Sequence, residues 1–68
     1  MTVLEFLNRA NKYRLKNPNN DIYDFINSNI NDYREIDTFE KEFAIKKLVQ
    51  RFGITFSYED VKLYADLK

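Results

Sequence analysis

This 68-residue chain predicts an all-α fold, a small domain of four helices packed as two antiparallel hairpins. Three observations lead there. Apolar residues recur at three-to-four spacing in several stretches, and no stretch shows sustained alternation of apolar and polar residues. Only one Gly and one Pro are present, so loops are short and helices fill the chain. Helix-start signals precede two apolar runs in the second half, Asp37 to Phe52 and Ser57 to Leu67.

The first helix is predicted from Thr2 to about Lys16. Val3, Phe6, Leu7, Ala10 and Tyr13 fall on one stripe, with Glu5, Asn8, Arg9, Lys12 and Lys16 on the other side. Lys12, Arg14 and Lys16 also complement the helix dipole at its C-terminal end. Pro18 pushes Asn17 out of the helical region and ends the element. A second helix, capped by Asn20 or Asp21, is expected to reach Asn31 or Tyr33 with Ile22, Ile26, Ile30 and Tyr33 in line. Tyr33 to Ile36 is a connector.

Asp37 is the expected cap of the third helix, with Glu40 three residues on to complete a capping box. Gly53 follows its last apolar residue, where a left-handed residue is wanted. Ser57 and Asp60 repeat the box for the fourth helix, whose apolar residues are Val61, Leu63, Tyr64, Ala65 and Leu67. Residues 1–68 thus read as a single helical domain.

A chain this short buries only roughly 60% of the surface its unfolded form exposes, so a staple or a partner is often needed. Cys and His are both absent, which removes disulfides, thiolate and imidazole catalysis, and zinc sites built on either residue. No Gly-rich phosphate loop or Ser nucleophile motif is present, so an enzyme is not expected and no cofactor is implied. Asp21, Asp24 and Asp32 lack the Gly that a calcium loop requires, so no metal is expected. Asp21 reads as a cap and Asp24 as an acid favoured by the helix dipole.

With no signal-peptide pattern and no apolar run long enough to span a bilayer, the expectation is a cytoplasmic protein without membrane contact. The formal charge is zero, 11 basic against 11 acidic residues, which argues against a nucleic-acid coat protein. Eight Asn with abundant Lys and Ile suggest an AT-rich coding sequence, as in low-GC bacteria and their phages, and so a phage or mobile-element accessory protein.

Eleven Phe and Tyr residues are more than a small core can enclose. Phe39 and Phe43 point away from the Ala44, Ile45, Leu48, Val49 and Phe52 face of their helix. Either they cover the first two helices, or they form an exposed patch that docks on another protein or a second copy. The function expected is non-catalytic, stoichiometric protein binding, as an adaptor, inhibitor or regulatory subunit. Phe39, Phe43 and Tyr58 would contact the partner, with Lys46 and Lys47 at the rim. A rival is a helix-turn-helix DNA-binding regulator using Asp37–Leu67, with Leu48, Val49, Phe52, Gly53 and Ile54 around the turn. Its would-be recognition helix begins Tyr58-Glu59-Asp60, and two carboxylates there would repel phosphates. A second rival is a self-assembling structural protein.

Overall fold

Residues 1–53 and 55–68 are described by a computed structural model. Among them are five α-helices and no strand: α1 (Val3–Lys16), α2 (Ile22–Ser28), α3 (Ile30–Arg34), α4 (Thr38–Phe52) and α5 (Tyr58–Leu67). The fold is all-α. None of these helices is long and apolar enough to cross a membrane.

The helix starts are chemically explicit. The Thr2 hydroxyl accepts from the Glu5 amide at 3.1 Å and caps α1. Asp21 and Asp24 form a reciprocal capping box, each carboxylate accepting the other's backbone amide at 3.0 Å. Asp24 thus does more than complement the dipole. The box expected at Asp37 and Glu40 is absent. The Asp37 carboxylate instead accepts from the Phe39 amide, one residue short of the box position, at 2.9 Å. Ser57 accepts from the Asp60 amide at 3.4 Å, but the Ser57 amide donates no bond to the Asp60 carboxylate in return.

The second predicted helix is two. Asn29 leaves helical geometry (φ −126°, ψ 29°), and its side-chain amide donates to the Phe25 carbonyl at 3.1 Å. An Asn that bonds the preceding turn competes with the backbone ladder, which gives the break a cause without Gly or Pro. The short α3 then brings Tyr33 into the core at 1% exposure, and the connector residue Ile36 follows it in.

Gly53 ends α4 with positive φ, as expected, but at φ 140° and ψ 141° it is extended rather than left-handed helical. Its amide donates to Val49 O at 2.9 Å, and the Phe56 amide donates back to Gly53 O at 3.3 Å. Ile54, counted by the helix-turn-helix reading, lies outside the described residues.

Pairing of the helices follows from a few contacts. The N-terminal ammonium of Met1 lies 3.9 Å from Glu35, and the Arg14 guanidinium lies 5.4 Å from the Phe52 ring centre. The start of α1 therefore sits by the start of α4 and its end by the end of α4, so the two run parallel. They form the main inter-helix contact, a pairing outside the two-hairpin expectation. α5 returns antiparallel along α4, placing Tyr58 under Lys46 and Asp66 near Lys41 and Tyr33.

The core joins Phe6 and Ala10 to Ile22, Phe25 and Ile26, then to Tyr33, Ile36, Ala44, Ile45, Leu48, Val61 and Ala65. Phe25 is its aromatic hub, with ring centres of Phe6 at 5.2 Å, Tyr13 at 5.4 Å and Phe52 at 5.9 Å. A second cluster stands Tyr23 edge-on to Tyr64 at 4.8 Å and to Phe56 at 6.0 Å, tying α2 to α5.

Candidate protein-interaction surface

α4 has one core side and one bare side. Ala44, Ile45, Leu48 and Val49 are buried, while Phe39, Phe43, Lys46 and Gln50 lie along the opposite line and are exposed. Phe39 is 94% exposed and Phe43 52%. These rings do not cover α1 or α2. The buried side of α4, Ala44, Ile45, Leu48 and Val49, joins the core that α1 shares, and Phe52 reaches Phe25, so that side and not the Phe39 side carries the packing.

The other predicted residues attach to this ridge. Lys47 places its ammonium 5.4 Å from the Phe43 ring centre, in cation–π range. Lys46 lies 3.1 Å from Glu42 and 5.4 Å from the Tyr58 ring centre. Tyr58 is half-buried against the core, in the seam between α4 and α5. The structure thus brings Phe39, Phe43, Lys46 and Lys47 onto one ridge and leaves Tyr58 beside it, reached through Lys46.

The parallel pairing of α1 with α4 also sorts the charge. These two helices carry eight basic residues and three acids, and the rest of the chain carries three basic residues and eight acids. A chain of zero net charge therefore folds with one basic layer and one acidic layer.

Sequence reasoning missed a second ridge. Leu63 and Leu67, read only as apolar residues of the last helix, are 59% and 77% exposed. Each lies two positions from a buried residue, Val61 or Ala65, which is about 200° round the helix. That offset was the available signal. Glu59 and Asp60, both exposed, precede Leu63 by one turn. Leu4 and Leu15, also exposed, share a line on the outside of α1.

Tyr33, Asp66 and the acids Asp21, Asp24 and Asp32 are engaged structurally. The Tyr33 hydroxyl donates to Asp66 Oδ1 at 2.6 Å, and Lys62 donates to the other carboxylate oxygen. Burial, reinforced by the Asp66 carboxylate, pushes the Tyr33 hydroxyl far above the usual phenol range. For Asp66, partial burial acts upward but is outweighed by bonds from Lys62 and Tyr33, which hold its carboxyl below the usual range. Asp21 and Asp24 are taken up in their box and Asp32 by Arg9, so the three acids do not converge. Among the described residues no cluster of three potential ligands could hold a metal ion. A cleft of about 220 Å³ at the α1–α2 turn is lined by Arg14, Asn17, Pro18, Asn20 and Phe52, and its one charged group lies over the Phe52 ring.

Compared with known proteins, the chain matches no protein family, no characterised relative and no solved structure.

Proposed function

We propose that this protein is a small, non-catalytic binding module that acts stoichiometrically on another protein through the outer ridge of α4. One observation carries the reading. Phe39 and Phe43 stand one turn apart, exposed, on a helix whose opposite side already fills the core. Large aromatic side chains left on a surface lose water contact favourably only when a partner covers them, and such rings dominate interface energies. Lys46 and Lys47 supply a charged rim that sets orientation more than affinity. The module works by occluding a partner's surface, as an adaptor, inhibitor or regulatory subunit would, in the cytoplasm.

DNA binding through α4 and α5 is the weaker reading. Lys46 is paired with Glu42, and the exposed Glu59 and Asp60 stand at the start of the would-be recognition helix.

The test is affinity capture from a low-GC bacterial lysate, with and without nuclease, using wild type and Phe43→Ala. A single stoichiometric protein that survives nuclease and high salt, and is lost with Phe43→Ala, is the expected result. If only nuclease-sensitive material is captured, the binding-module reading fails and the DNA reading takes its place.

A further inference from the structure

We infer that the α4 ridge of one molecule docks on the α5 ridge of a second copy, in a head-to-tail interface. This rests on the α4 ridge being a binding surface, and it names the occupant. The two ridges carry the same pattern in mirror order. Along α4 the residues are Phe39, Phe43, Lys46 and Lys47, at steps of four, three and one. Read backwards along α5 they are Leu67, Leu63, Asp60 and Glu59, at the same steps. Antiparallel helices therefore set Phe39 against Leu67, Phe43 against Leu63, Lys46 against Asp60 and Lys47 against Glu59.

Each of these pairs is complementary. The apolar members are all more than half exposed, so both sides gain from being covered. The charged members have opposite sign, with Lys on the basic layer and acids on the acidic layer. Within one molecule α4 and α5 already pack antiparallel, with Lys46 at their seam 5.4 Å from the Tyr58 ring centre, while Phe39, Phe43, Leu63 and Leu67 stay exposed outside that seam. Asp66, which would fall near Glu40 of the neighbour, is held by Tyr33 and Lys62. Lys68 follows Leu67 and supplies a cation at that end.

A ridge-on-ridge contact joins two different surfaces, so each molecule keeps one unfilled ridge of either kind, and growth continues unless a ring closes. α5 is about 15 Å long, so the contact is smaller than the roughly 800 Å² per partner of a standard interface. Association in the micromolar to millimolar range follows.

Sedimentation equilibrium on wild type, Phe43→Asp and Leu63→Asp tests the proposal, with circular dichroism confirming that each variant is helical. Wild type should gain mass with concentration up to about 1 mM, less so at high salt. Each variant alone should stay monomeric, because each lacks one ridge. Their equimolar mixture should form a one-to-one dimer, since the intact α5 ridge of one meets the intact α4 ridge of the other. A monomeric wild type overturns the proposal. So does a Leu63→Asp variant that associates by itself, because that means a symmetric Phe-to-Phe contact or another surface. If wild type stays monomeric yet captures a protein that Phe43→Ala loses, only this inference falls. If it also captures none, the binding-module reading falls with it.

Discussion

The aromatic cluster around Phe25 and the aromatic ridge of Phe39 and Phe43 are built from the same residue type with opposite consequences. Phe25 is fully buried and meets rings from α1 and α4, so it helps decide which helices come together. Phe39 is almost fully exposed, and Phe43 is about half exposed with the ammonium of Lys47 5.4 Å from its ring centre. An aromatic residue contributes to folding only where another element comes to cover it. The ridge contributes little to this fold, which leaves it free for a partner.

The largest expected effect breaks the cluster. Phe25→Ala removes the hub ring from a fully buried site and should cost about 3–5 kcal/mol. That is comparable to the whole stability of so small a domain, so urea titration followed by circular dichroism should show a chain largely unfolded in water. A variant that keeps most of its stability would show that the cluster is not what holds α1, α2 and α4 together.

Next comes the turn that orients α5 against α4. Gly53 sits at φ 140°, where an L-residue is strained, although among the described residues a Cβ there would meet only the Thr55 hydroxyl at 3.8 Å. Gly53→Ala should therefore cost about 1–3 kcal/mol through backbone strain alone. Self-association, once corrected for the folded fraction, should be unchanged. A change in it would mean that the turn shapes the ridges as well as the core.

Tyr33 belongs to both regions, with its ring in the core and its hydroxyl on Asp66. Tyr33→Phe keeps the ring and loses the bond, at about 1 kcal/mol near neutral pH. The sign of the pH effect is fixed by the raised pKa of this hydroxyl in the fold. Its contribution is complete below the unfolded phenol value of about 10 and is lost as pH rises above it. Thermal melts of wild type should therefore fall more steeply above that pH than melts of Tyr33→Phe. Asp66 has the opposite sign, with a lowered pKa whose stabilisation is lost only as pH falls below the ordinary carboxylate range. Parallel alkaline limbs for the two proteins would show that Tyr33 does not govern that transition.

The smallest stability effect sharpens the comparison most. Phe39→Ala and Phe43→Ala should each change stability by no more than about 0.5 kcal/mol. Phe43→Ala should nevertheless abolish partner capture. A loss above 2 kcal/mol from either would mean that the ridge belongs to the core after all.

Much of this molecule is legible from local chemistry. The α4 and α5 boundaries follow from Asp37, Gly53 and Ser57, and the stripe Phe6, Leu7 and Ala10 marks the buried side of α1. The break at Asn29 is not legible, because an Asn interrupts a helix only when its side chain finds the preceding turn. Nor is the capping geometry at Asp37, where a carboxylate chooses between amides one residue apart. Of the candidate site, the off-stripe position of Phe39 and Phe43 is visible in the spacing, but their exposure is not. The exposure of Leu63 and Leu67 is not legible either, because five apolar residues on a short helix leave its buried side ambiguous.

By itself the sequence determined an all-α chain, most of its helix ends and the exclusion of Cys and His chemistry, because these depend on composition and on groups within a turn of each other. Only the tertiary structure decided that α1 lies parallel to α4, that the charges separate into two layers, and that one Phe pair and one Leu pair remain uncovered. Those outcomes depend on which apolar stripe meets which. Burial is non-directional, and helices far apart in the chain share one core too small to cover every ring.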